Sequence, residues 1–239
     1  MKTFIIALVL AIVGITGCAS RSSTSSSQQK ALYPRATVVF IGDSITYNWG
    51  QPWASPDFTQ HPTWVDAGVV GDDSGQMVDR FQTDVVDKRP DVVVILAGTN
   101  DTYPGWQLCG NEDGPGYNDH NHDTCSNINY MVYVARANGI QPVLATIPPW
   151  GCAEAKCQLA ETADGSAARY DRINTLNAWI KGYAAQQGLI AIDFHSVLVA
   201  IDGQTYVPDL TIDGVHPTPA GYDLMTPMAE DAIAADQKK

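Results

Sequence analysis

Two short runs constrain this chain more than anything else in it: Thr37-Val38-Val39-Phe40-Ile41 and Asp91-Val92-Val93-Val94-Ile95-Leu96. Both are almost unbroken in apolar, β-branched residues. A strand with one wet face alternates apolar with polar, so an uninterrupted run demands cover on both faces, as in a parallel sheet between layers of helix. Trp64 to Val69, Pro142 to Ile147 and Leu189 to Phe194 read as three further strands. Helical spacing fills the intervals. Met77, Phe81, Val85 and Val86 recur at that spacing behind Asp72-Asp73-Ser74, which suits a helix start, and Arg89-Pro90 closes the stretch. Ile128 to Ala137, Ala167 to Ala185 and Pro219 to Ala234 repeat the pattern. The alternation predicts a three-layer α/β/α domain around a five-stranded parallel sheet. With 239 residues, 45% of them hydrophobic, there is material for one sizeable core. No internal repeat or second linker divides it, so a single domain is expected over residues 32–239.

The first residues read as an address and not as part of that domain. Lys2 precedes an apolar run from Phe4 to Thr16, followed by Gly17-Cys18, which predicts a signal peptide over residues 1–17. The run is shorter than the ~18 apolar residues that a permanent transmembrane helix needs. Ile15-Thr16-Gly17-Cys18 resembles the lipobox of bacterial lipoprotein signals, which implies acylation of Cys18 and a lipid anchor in a membrane of the cell envelope; ordinary cleavage nearby would leave Cys18 a free thiol. Residues 18–31 are rich in Ser, Thr and Gln with nothing large to bury, as expected of a tether.

Cysteine usage fits export. Beyond Cys18 stand Cys109, Cys125, Cys152 and Cys157, an even number whose three possible pairings the spacing does not separate. Pairing Cys109 with Cys125 and Cys152 with Cys157 is favoured because each bridge would staple a local loop. A four-cysteine zinc site is the rival, but it usually comes as two tight C-x2-C hooks, and these separations are wide and unequal. Acidic residues outnumber basic ones by 26 to 14, a net charge of -12. A field of that sign repels phosphate backbones, so no nucleic-acid partner is expected.

Polar groups gather at the carboxyl ends of the strands, where the crevice of an open α/β sheet lies. Gly42-Asp43-Ser44 follows the first strand, making Ser44 a candidate nucleophile, or more plainly a helix cap. It is not a G-x-S-x-G elbow, because Thr46 stands where the last glycine belongs. Val70-Gly71-Asp72 follows the second strand, and Gly71 lets a backbone N–H approach a ligand closely, unless it is a mere turn residue. Gly98-Thr99-Asn100-Asp101 follows the third, where the Asn100 amide could donate to a developing negative charge or simply form a turn. Asp213-Gly214-Val215-His216-Pro217 precedes the last helix and places a carboxylate three residues before an imidazole, which that carboxylate could orient as a base toward Ser44.

Taken in order, these four blocks resemble the SGNH hydrolases, also called GDSL-type esterases. The first block departs from the usual form by reading Gly-Asp-Ser-Ile, a volume-conserving change. The resemblance implies a flavodoxin-like fold with strand order 2-1-3-4-5. It also implies a triad of Ser44, His216 and Asp213, and an oxyanion hole built from the N–H groups of Ser44 and Gly71 with the Asn100 side chain. The implied chemistry is hydrolysis of a small ester, a lipid or an acetylated glycan through an acyl-enzyme, with neither metal nor organic cofactor.

The segment between Asp101 and Ser126 reads as an elaborated loop beside the site, carrying Tyr103, Trp106 and Tyr117. Its Asp119-His120-Asn121-His122-Asp123 run looks metal-binding, yet an EF-hand register would put Thr124 at position six and Tyr130 at position twelve, so a solvated polar loop and no metal are expected. The competing function is a catalytically silent surface protein gripping carbohydrate through Trp49, Trp53, Trp106 and Trp150.

Overall fold

The computed structural model describes residues 37–103, 106–110, 123–152, 157 and 163–236. The expected signal peptide, Cys18 with its tether, and Asp119 to His122 lie outside the described residues. The elements run β1 (Val38–Gly42), α1 (Ser44–Trp49), α2 (Pro56–Gln60), β2 (Trp64–Gly68), α3 (Ser74–Asp84), β3 (Val92–Leu96), α4 (Thr124–Ala137), β4 (Gln141–Ala145), α5 (Ala163–Gln187), β5 (Ile190–Ile192), α6 (Phe194–Leu198) and α7 (Pro219–Asp236). All five strands are parallel, in the order β2-β1-β3-β4-β5 expected from the resemblance.

Every residue of β1 and β3 is buried, which is why neither run tolerates a polar interruption. At the edge, β2 is half-buried along most of its length. Around Phe40 the core is aromatic: its ring meets Trp49, Phe58 and Trp64 at centroid distances of 5.4, 5.0 and 4.6 Å. Trp49 is fully buried, packs on Phe194 and Tyr222 as well, and directs its indole N–H to the Thr226 hydroxyl at 3.1 Å. The feature that positions the site is register. Gly42 pairs with Gly68 on one side and Leu96 on the other, so the first three strands end level and their loops emerge side by side.

Several boundaries differ from expectation for local reasons. The fourth helix begins at Thr124, four residues early, because Asp123 caps it, accepting the Ser126 N–H at 2.9 Å, and its first turn is too polar to show the periodicity. The third ends at Asp84 and continues only as a 3₁₀ turn, Val86–Lys88, before Arg89 takes a left-handed φ of 49°. The last strand is three residues long, because Asp193 leaves the sheet to cap α6. The cysteines pair as favoured, Cys109 with Cys125 and Cys152 with Cys157.

Candidate active site

Ser44 is the first residue of α1, and Asp43 is its cap: the Asp43 Oδ1 accepts the Ile45 N–H at 2.8 Å. The plainer reading of Ser44 as a cap is therefore displaced by its neighbour, which leaves the Ser44 hydroxyl uncommitted to the helix. Gly42 is required by crowding. A Cβ there would lie 2.0 Å from the Thr46 Oγ1, so Thr46, the residue that breaks the elbow motif, fills the space the glycine leaves.

The loop after Thr211 turns back on itself around one carboxylate. Asp213 Oδ1 accepts the N–H groups of Val215 and His216, both at 2.9 Å, while Oδ2 accepts His216 Nδ1 at 2.8 Å. Because a carboxylate can only accept, Nδ1 carries the proton and Nε2 is left as an acceptor. Nε2 lies 2.9 Å from Ser44 Oγ. The two residues are 172 apart in the chain and meet because the turn is held from three sides. Tyr206 donates its hydroxyl to the Val215 carbonyl at 2.9 Å, Gly151 donates its N–H to the Gly214 carbonyl at 2.6 Å, and Thr211 Oγ1 accepts the Gly214 N–H at 2.8 Å. Burial alone would raise the Asp213 carboxyl, but the bonds from the His216 side chain and from the two backbone N–H groups outweigh it and hold the group at about 2. The hydrogen bond to Asp213 lifts His216 above the ordinary histidine value, burial opposing it.

Three donors on the segments that follow β1, β2 and β3 have hydrogens to give. Among the described residues no intramolecular acceptor faces the N–H of Ser44 or of Gly71. Asp72 N–H bonds the Val69 carbonyl at 3.2 Å and Gly71 has a φ of 87°, the arrangement of a type II turn, whose third position is closed to most side chains. The Asn100 amide donates one hydrogen to the Asp72 carbonyl at 2.8 Å and has a second to give.

Several supporting residues carry no distinctive sequence signal. Asp101 is buried between the first turns of α3 and α4, accepting from the Ser74 N–H and hydroxyl and from Thr124 Oγ1 at 3.0 Å, and burial raises its carboxyl. Arg172 fastens the loop after β3 from behind, donating to the carbonyls of Asp101 and Thr102. Of the four tryptophans considered for a carbohydrate grip, Trp49 is core and Trp150 is buried against the Arg169 guanidinium; only Trp53 and Trp106 are exposed. That platform does not exist as expected, because Trp49, the last residue of α1, packs inward on Phe40, Phe194 and Tyr222.

Asp43 itself is strained electrostatically. Desolvation raises its carboxyl to about 6, since Oδ1 has the Ile45 bond but the buried Oδ2 has no well-formed partner, the Thr99 hydroxyl offering only weak help. The folded value exceeds the unfolded one of 3.8. The proton thus binds more tightly in the folded state, and the stability this gives is present below the unfolded value and lost as pH rises through the folded one. At pH 8 the ionised group costs about 3 kcal/mol. Asp43→Asn keeps the capping oxygen and should therefore melt above the parent at pH 8, the gap narrowing below about pH 6 and closing below the unfolded value of 3.8. A lower melting temperature at pH 8, by circular dichroism, would contradict this.

With this geometry in place, residues 40–224 match the GDSL-like Lipase/Acylhydrolase family. The chain belongs to that family. The matched span of this GDSL-like chain runs from β1 into α7 and includes all four blocks. A GDSL-like lipase of Bacteroides thetaiotaomicron VPI-5482 superposes with a TM-score of 0.68 at 30% identity, covering 88% of this chain and 95% of that one. A candidate acylhydrolase of Bacteroides fragilis NCTC 9343 gives 0.67 at 32% identity over 87% and 94%. A curated relative, the uncharacterized lipoprotein YqeF of Bacillus subtilis (strain 168), is 29% identical over 163 residues, 62% of this chain. The chain spans 58% of the length of that relative.

Proposed function

We propose that this protein is a serine esterase that hydrolyses carboxylic esters through an acyl-enzyme. One observation carries the reading: the unbroken hydrogen-bond path from the Asp213 carboxylate through the His216 imidazole to the Ser44 hydroxyl, at 2.8 and 2.9 Å. His216 Nε2 takes the Ser44 proton as Oγ attacks the ester carbonyl. The carbonyl oxygen gathers negative charge in front of the Ser44 and Gly71 N–H groups and the free hydrogen of the Asn100 amide. His216 then protonates the departing alcohol, and water, deprotonated by the same nitrogen, releases the acid.

The lipobox-like Cys18 and the lipoprotein relative support an exported protein held on a membrane by acyl chains. Substrates within reach of such an anchor are short acyl or acetyl esters, acetylated glycans and lysophospholipid-type lipids. Hydrolysis of chromogenic esters of graded acyl length, beside acetyl release from acetylated polysaccharide, tests the reading. Turnover with a preference along that series is expected, and no turnover of any ester would overturn it. The pH profile is a second test. The base must be neutral, and its value is raised by Asp213, so the acid limb of kcat/KM should lie above the ~6.5 of an ordinary histidine. A limb at or below that value would contradict the assignment.

A further inference from the structure

The most connected side chain near the three donors belongs to no part of the triad. Arg80 projects from α3 and is largely buried, its side chain 16% exposed. Its Nε donates to Asp72 Oδ2 at 2.6 Å, its Nη1 to the Ala67 carbonyl at 2.7 Å and to Asp84 Oδ2 at 3.0 Å, and its Nη2 to the Gly42 carbonyl at 2.9 Å. Each anchor point matters by position. Gly42 ends β1 two residues before Ser44, Ala67 lies near the end of β2, and Asp72 follows Gly71 directly. The Asp72 carbonyl in turn accepts the Asn100 amide. One planar group therefore touches the chain within two residues of both backbone donors, and through Asp72 it reaches the third.

We propose that Arg80 is a positioning residue for the oxyanion hole, a role that rests on the esterase reading above. Donors must sit within a fraction of an ångström of where the oxyanion forms, yet Gly71 lies on a loop, Ser44 opens the six-residue helix α1 and Asn100 opens a single 3₁₀ turn, and such short connecting segments are the mobile part of such a fold. A guanidinium presents its N–H groups in a rigid fork, so bonding strand ends and loop at once sets their separation. The effect is geometric and not the pull of a positive field, because the carboxylates of Asp72 and Asp84 more than offset the guanidinium charge. Lysine, a point charge with no fork, could serve one or two of these acceptors but not hold them in register.

Arg80→Lys tests this, with Asp72→Asn as a second variant that removes only the carboxylate partner. In each folded variant kcat should fall roughly 10- to 100-fold with KM changed little, the size expected when donors shift by about an ångström. In an Asn100→Ala background Arg80→Lys should cost less than in the parent, because one of the three donors it positions is gone. Equal losses in both backgrounds, or a lower melting temperature with kcat unchanged, would overturn the proposal. An activity-independent readout separates it from the esterase reading. In ¹H–¹⁵N spectra of Arg80→Lys, the Gly71 amide and the Asn100 side-chain amide should shift relative to the parent. Unchanged resonances at both would sink the role of Arg80 even if esters are hydrolysed, whereas shifted resonances in a protein that hydrolyses none would sink only the esterase reading.

Discussion

Ser44→Ala should lower kcat for a short-chain ester by about 10⁴- to 10⁶-fold while leaving the fold intact. The substitution removes the attacking oxygen and nothing structural, since the hydroxyl bonds only His216 Nε2 among the described residues and the helix is capped by Asp43. His216→Ala should cost a similar factor, because an oxygen that keeps its proton attacks poorly whatever else is in place. The double variant should be no worse than either single one, since the two act as a unit and removing one member idles the other. Residual hydrolysis would reflect binding and the remaining donors. Steady-state rates on one ester, with circular dichroism as the folding control, measure all three. A Ser44→Ala enzyme within tenfold of the parent would place the nucleophile elsewhere.

Asn100→Ala should lose 10²- to 10³-fold in kcat. The loss falls on the transition state because the amide donates to an oxygen that is neutral in the bound ester and carries charge only as the tetrahedral species forms. KM should therefore move much less than kcat. The cost to stability should be small, about 1 kcal/mol, since the one bond removed, to the Asp72 carbonyl, is half-buried. A variant as active as the parent, or one whose whole loss appears in KM, would remove Asn100 from the oxyanion hole.

Legibility in the sequence followed the length scale of the physics. The runs at Val38 and Val92 announced buried parallel strands because burial on both faces leaves no room for a polar residue. The contact between Asp213 and His216 was readable because they lie three apart on one turn, and the carboxylate needs only local geometry to reach the imidazole. What was not readable depends on contacts across the fold. Arg80 is an ordinary helical arginine until Gly42, 38 residues earlier in the chain, supplies a carbonyl to it. Trp49 looked available for a sugar because its burial is decided by Phe194 and Tyr222, both far along the chain. Helix α1 is too short to show periodicity, so Asp43, quoted in the first block, could not be recognised as its cap.

The central claim is that Ser44 becomes covalently acylated because His216 takes its proton. Intact-protein and peptide mass spectrometry after treatment with a fluorophosphonate tests it most directly. The account predicts one adduct per chain, located on Ser44 and absent from both Ser44→Ala and His216→Ala. An unmodified parent, an adduct on another residue, or unchanged labelling in His216→Ala would contradict it.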